Sequence, residues 1–426
     1  MELLFPREII TCIEKWLDKP EIIVLLGGRQ VGKTCIIKLL TQKLNPKECL
    51  YFDLEDTYNL QILSSVETFI GYVEAKGLNN AKKVYVFIDE LQYLPEPAKF
   101  LKIIHDHYLN IKLIVSGSSS FEIRKRFTDG LTGRKIIFSV YPLSFKEYLV
   151  FKKSEFAKIK NEVSIKKIIT NFKKMKKYNT LTPNLLPLFE DFMVFGGYPL
   201  PTLTAETEHR IMRLKEIHNT YIQKDIKDLA KIENIVQFNR LVSFLSLQIG
   251  GLLNLNEVCK EVGLTRRHIE KFIFILEKTF VLNLLKPFFT NRQKEITKMP
   301  KLFFCDTGLR NININDIRPL DIRQDKGAIA ENCFFQEILK RKEPLQELYF
   351  WRTKEQHEID FIIMENRQLL PVEIKYQKIK SPIIPTSLRA FINKFLPSKA
   401  VIVTRDYIDR IKLNKTDVFF IPLWMV

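Results

Sequence analysis

Gly27-Gly28-Arg29-Gln30-Val31-Gly32-Lys33-Thr34 places glycines, a lysine and a hydroxyl at the spacing that phosphate chemistry needs. Gly27 and Gly32 let the backbone wrap closely round phosphate oxygens, and successive N–H groups at the positive end of a following helix bind the negative charge. Lys33 is expected to reach the β- and γ-phosphates as a point charge, and the Thr34 hydroxyl to ligate Mg²⁺. ATP is the ligand implied. A chance glycine turn before a helix is the plain alternative, but it leaves the lysine and the hydroxyl unexplained.

Two carboxylates, Asp89 and Glu90, follow the apolar run Val84-Tyr85-Val86-Phe87-Ile88. At the C-terminal edge of a buried parallel strand they stand where ligands of such sheets bind. Asp89 is the candidate Mg²⁺ ligand through water, and Glu90 the candidate base that orients the attacking water. Ser118, in Ser116-Gly117-Ser118-Ser119-Ser120, can sense the γ-phosphate; a plain serine-rich turn is the alternative. Arg134 suits a subunit edge, where it would stabilise the transition state of a neighbour's ATP and so predicts a homo-oligomer. A surface ion pair is its simpler reading.

A second set of acids lies far along the chain. Glu331 falls on a helical stretch and Asp360 in a short strand, while Pro371-Val372-Glu373-Ile374-Lys375 puts Glu373 and Lys375 on one face of another strand. Carboxylates that share Mg²⁺ beside a water-orienting lysine are what a metal-dependent nuclease requires. An acid and a lysine two residues apart are also an ordinary exposed sheet face. With Asp360, Glu373 and Lys375 as its centre and Glu331 as the helix acid, the set resembles the PD-(D/E)XK nucleases.

These residues need elements to hold them. Short apolar runs, Ile22 to Leu26, Cys49 to Leu54, Val84 to Ile88, Lys112 to Ser116 and Lys135 to Val140, alternate with helical patterns and predict a parallel sheet covered by helices. Lys152 to Lys177 reads as a basic helical insertion or a solvated helix face. Phe195-Gly196-Gly197-Tyr198-Pro199 forces a turn in the helical stretch that follows. Beyond Leu241, a helix over Asn256–Val262, a turn at Gly263-Leu264, a Thr265-capped helix to Lys278 and a strand Val281–Leu285 predict a winged helix-turn-helix. Thr265-Arg266-Arg267-His268 and Lys271 open its second helix with basic groups suited to the major groove, although a protein-contacting winged helix would look alike. A meander over Leu348–Arg352, Glu358–Ile363 and Leu369–Tyr376 follows.

A chain of 426 residues exceeds one hydrophobic core, and 46% hydrophobic with 27% charged residues describes folded domains rather than a disordered chain. The net charge of +18 suits nucleic acid, DNA favoured, though a bias towards Lys, Ile and Asn yields the same sign without a partner. Six scattered cysteines read as reduced, mostly buried thiols. No secretory signal or membrane span is visible, so no membrane and a cytoplasmic location are expected.

Together these motifs, with Gly117-Ser118, Gly133-Arg134, Tyr141-Pro142-Leu143-Ser144-Phe145, Lys224-Asp225-Ile226, Asp306-Thr307-Gly308-Leu309, Tyr349-Phe350-Trp351-Arg352 and Glu358-Ile359-Asp360-Phe361, resemble the bacterial and archaeal AAA-type P-loop ATPases with a C-terminal domain of unknown function. The resemblance implies a multidomain α/β chain. Its parts would be an AAA-like core over 1–150, a basic insertion and helical lid over 151–238, a winged helix over 239–312 and a restriction-endonuclease-like domain over 320–426. It also implies that Gly197 and Pro199 lie near the adenine. The expected function is ATP hydrolysis coupled to action on nucleic acid, with a metal-dependent nuclease domain. The alternative is a nucleotide-dependent regulatory switch whose C-terminal domain docks partners.

Overall fold

Five runs of β-branched and aromatic residues become strands β1 (Ile22–Gly27), β2 (Cys49–Asp53), β3 (Val84–Asp89), β4 (Ile111–Ser118) and β5 (Lys135–Val140). They appear in a computed structural model that describes residues 4–78, 81–118, 130–225, 235–289 and 298–426. All pair in parallel in the order β2-β3-β4-β1-β5. Strands β1 and β3 are buried along their whole length, as central strands covered on both faces must be. Helix Pro97–His107 buries Phe100, Leu101 and Ile104, the stripe that a 3.6-residue period presents to a sheet.

The chain groups into two units. One comprises Met1–Pro142, Asn219–Ile232 and Phe274–Phe280; the other comprises Leu143–His218, Glu233–Ile273 and Val281–Val426. This is coarser than the four-part division expected from the sequence, for a physical reason. Inside the second unit, Leu143 N–H donates to Gly197 O at 2.7 Å, Gly197 N–H to Asp306 Oδ2 at 2.8 Å and Phe145 N–H to Glu337 Oε1 at 3.1 Å. Buried bonds therefore join segments that the sequence lays out separately.

The basic stretch in that unit forms three short helices, Ala157–Lys160, Ile165–Thr170 and Phe172–Lys176, with Val163, Ile165, Ile168 and Met175 buried. Helix Leu255–Val262 ends at Gly263 in the left-handed conformation, and helix Arg266–Lys278 follows, with Ile269 N–H bonded to Thr265 O. Strand β6 (Leu282–Leu285) pairs antiparallel with β7 (Lys301–Phe304), a partner the sequence pattern did not announce.

The C-terminal sheet has six strands rather than the three of the expected meander: β8 (Glu347–Arg352), β9 (Glu358–Glu365), β10 (Gln368–Lys375), β11 (Lys399–Thr404), β12 (Asp409–Leu413) and β13 (Thr416–Pro422). Their order is β12-β13-β11-β10-β9-β8. Helix Thr386–Phe395 covers the sheet, its Leu388, Phe391 and Ile392 packed with Trp351, Ile359, Ile402 and Phe420. Of the cysteines only Cys305 and Cys333 are buried, so most thiols are less enclosed than composition suggested. Among the described residues no helix is long and apolar enough to cross a membrane.

Candidate functional site

Strand β1 delivers the glycine loop to the sheet's C-terminal edge. A side chain at Gly27 would put its Cβ 2.3 Å from Val140 O, so the close pairing of β1 with β5 demands glycine there. Gly32 has φ of 94° and sits immediately before helix Lys33–Thr41, and Gln30 also takes a positive φ of 58°. Positive φ at Gln30 and Gly32 turns the chain sharply into the N-terminus of that helix. Arg29 and Gln30 are exposed, while Val31 is buried.

Lys33 is 5% exposed, and its Nζ donates to Gly28 O at 2.9 Å and Gly27 O at 3.3 Å. Burial lowers its pKa, an effect opposed by Glu90 and Asp89 and reinforced by Arg29. An anion brought to the loop would restore what burial removes.

The two motifs meet at Asp89. Its Oδ2 accepts from Thr34 Oγ1 at 2.6 Å and from Tyr51 OH at 3.3 Å, and its Oδ1 accepts from Ser116 Oγ and from Glu90 N–H at 3.1 Å. Asp89 is 2% exposed, so these four donors replace the water it has lost. Strand β4 lies between β1 and β3, which is why Ser116 reaches across to the carboxylate. Ser118 pairs in register with Gly27, and its side chain, like Ser119 and Ser120, lies outside the described residues. Glu90 takes φ of 53° and receives the Gln92 side-chain amide on Oε2. For a non-glycine residue this backbone is uncommon, and such geometry concentrates at functional sites.

Sequence spacing does not reveal the residues that brace the loop. Arg7 is buried and donates to Val31 O at 2.7 Å and Tyr141 O at 2.8 Å, tying the loop to the end of β5. Tyr221, on the π-helix His218–Asp225, faces Gly28, and its hydroxyl donates to Thr279 O. Neither belongs to a motif, so nothing in the sequence singles them out.

Arg134 pairs through Nε with Asp106 Oδ1 at 2.7 Å on an exposed surface. That bond, followed by one from His105, holds the Asp106 carboxyl below the usual range. Pro199 opens helix Pro199–Leu203, and Asp306 and Leu143 grip the glycine turn before it.

Strands β9 and β10 place Asp360, Glu373 and Lys375 side by side, as their spacing implied. Lys375 Nζ donates to Glu373 Oε1 at 2.7 Å, and Asp360 Oδ2 accepts from Ile374 N–H at 2.8 Å. The unexpected member is Lys301 of β7. It is 2% exposed, with Nζ 2.6 Å from Glu358, 3.6 Å from Asp360 and 3.7 Å from Glu331. Burial opposes its charge, but Asp360, Glu331 and Glu358 outweigh burial and raise its pKa. Burial pushes the carboxyls of Glu331 and Glu373 up, as does Asp360. Expectation placed a metal among Glu331, Asp360 and Glu373. Among the described residues, however, no three His, Cys, Asp or Glu side chains are arranged to hold one, and an ammonium stands between the acids instead.

Residues 19–149 match the family model described as an AAA domain. Residues 186–319 and 326–425 match two domains of unknown function, DUF8612 and DUF4143. An uncharacterized protein of Methanocaldococcus jannaschii is 27% identical over 368 residues, 84% of this chain and 76% of its own. One of Haemophilus influenzae is 21% identical over 423 residues, 96% and 95% of the two chains. Among solved structures, a Walker-type ATPase of Pyrococcus abyssi shares 16% identity at a TM-score of 0.46, over 72% of this chain and 95% of its own. The residues that match the AAA model carry the parallel sheet β1–β5 and its glycine loop, a core like that of P-loop ATPases, and a separate sheet lies near the C-terminus.

Proposed function

We propose that this chain binds ATP with Mg²⁺ and hydrolyses it at Lys33, Thr34, Asp89 and Glu90. The supporting observation is the 2.6 Å contact between Thr34 Oγ1 and Asp89 Oδ2, which brings the two motifs to one point. Both are hard oxygen donors, so the pair fits Mg²⁺: Thr34 would hold it directly and Asp89 through water. When bound, the ion supplies charge that neutralises the β- and γ-phosphate oxygens. The loop N–H groups and Lys33 hold the phosphates, and Glu90 takes the proton of the attacking water. Ser118, paired in register with Gly27, is proposed as the hydroxyl that registers the phosphate, and Ser116 holds the Asp89 carboxylate. Steady-state turnover in Mg²⁺ tests the proposal. Tight ATP binding with less than one turnover per chain would sink the hydrolase reading and leave the nucleotide-dependent switch.

A partner carrying phosphates is the second reading. Arg266 and Arg267 are exposed at the start of helix Arg266–Lys278, with His268 and Lys271 in its first two turns. Replacing Arg266 and Arg267 with alanine is expected to weaken DNA binding at every sequence and to lower the salt slope by about 2. An unchanged slope would assign this helix to protein contacts. For the C-terminal sheet, a buried lysine among the acids counts against metal-dependent cutting.

Arg134 is proposed to act on a neighbouring subunit, exchanging Asp106 for phosphate. Mixed Arg134→Ala and Lys33→Ala proteins, each inactive alone, are expected to recover part of the ATPase activity. No recovery in mixtures shown to co-assemble would leave Arg134 as a surface ion pair.

A further inference from the structure

We infer that Lys301 is the resident cation of the C-terminal acid cluster, filling from within the place a divalent metal would take. The acids come from three elements: Glu331 from helix Lys326–Lys340, Glu358 and Asp360 from β9, and Glu373 from β10. Four carboxylates drawn together call for positive charge, and Lys301 brings it from a fourth element, β7. Its Nζ lies within 3.7 Å of an oxygen of Glu358, Asp360 and Glu331. A Mg²⁺ ion bonds oxygen at about 2.0–2.1 Å, so an ion shared by Asp360 and Glu331 would have to enter the space the ammonium holds or lie against it. In either place ion and ammonium repel strongly at such a separation in a buried site, so they compete for the same acids.

The cluster is nevertheless built for a cation. Glu373 is 5% exposed, Lys375 bonds its Oε1, and its Oε2 is buried without a hydrogen-bond partner. A buried carboxylate oxygen with no donor is costly unless positive charge stands close by. Lys301 also lies 5.7 Å from the centre of the Phe350 ring, which closes another side of the ammonium. The Lys301 side chain therefore decides whether this sheet takes a metal. With the lysine in place the acids hold an ammonium; without it the carboxylates are free to turn inward onto a divalent ion.

The test is Mn²⁺ binding, followed by the free-ion electron paramagnetic resonance signal, to the nucleotide-free full chain and three variants. Wild type and Asp360→Asn are expected to take up the same Mn²⁺, since Asp360 ligates none while Lys301 is present. Lys301→Met, which keeps the stem and removes the charge, is expected to gain one Mn²⁺ per chain, bound at least tenfold more tightly than any wild-type site. Adding Asp360→Asn to Lys301→Met should abolish that gain. A wild-type Mn²⁺ lost on Asp360→Asn would overturn the inference, because metal and lysine would then coexist. So would folded Lys301→Met that gains none. If Lys301→Met does not fold, Lys301→Gln, which keeps a polar end without the charge, carries the same expectation of a gained Mn²⁺, and a variant that folds and gains none overturns the inference.

Discussion

Glu90→Gln is expected to bind ATP as tightly as wild type and to lose hydrolysis by about 10²- to 10⁴-fold. The change keeps the side chain's size and its place beside Asp89, whose Oδ1 accepts the backbone N–H of residue 90. Only the ability to take a proton from water is removed. The φ of 53° at Glu90 ends β3 and turns the chain into the short turn Leu91–Tyr93, whose Tyr93 N–H bonds Glu90 O at 3.1 Å, a conformation that costs about 1–3 kcal/mol. Gln92 supports the reading by bonding Oε2 and so fixing the group's direction. Nucleotide affinity and single-turnover hydrolysis, measured separately, check it. Wild-type turnover by Glu90→Gln would remove the base assignment.

Lys33→Ala should raise the dissociation constant for ATP by about 100-fold, the equivalent of roughly 3 kcal/mol for a charged hydrogen-bonding group facing phosphate. The nucleotide-free protein should respond in the opposite sense. Burial lowers the Lys33 pKa, so its charged form is disfavoured in the folded chain relative to the unfolded one, and this cost applies at neutral pH, where the unfolded lysine is protonated. Alanine relieves it. The Tm of the variant without nucleotide should therefore equal or exceed that of wild type, while the rise in Tm that ATP gives wild type disappears. A fall in Tm without nucleotide would mean that the bonds to Gly27 O and Gly28 O stabilise the loop more than the buried charge destabilises it.

The first unit was legible because each feature is local. A strand such as Ile22–Gly27 is an unbroken apolar run, and the loop that follows is contiguous, so spacing along the chain equals spacing in the site. What escaped is what the sheet assembles across distance. Ser116 reaches Asp89 because β4 lies between β1 and β3, and strand order cannot be read from any single run. Arg7 braces Val31 from 24 residues away. In the second unit, Glu373 and Lys375 were legible as neighbours on one strand. Lys301 was not, since its acids follow it by 30 residues or more and its strand is four residues long. Strand β11 has the same apolar signature as β1, so its pattern marks a strand, whereas the alternation in β12 is too polar to distinguish from a loop.

Strand β7 fixes more than pairing. On one side its residues pair with β6; on the other, Leu302 exchanges bonds with Gly250 and Gly251, and Phe304 is held by the side-chain amides of Asn332 and Gln336. Sliding the strand by two residues would break every one of these bonds and carry Lys301 about 6.6 Å along the strand axis, far outside the reach of its acids. The position of the ammonium is therefore set by backbone register rather than by its ion pairs. Neutralising Glu331, Glu358 or Asp360 singly should leave the lysine where it is, and the acids are the groups that must adapt to it.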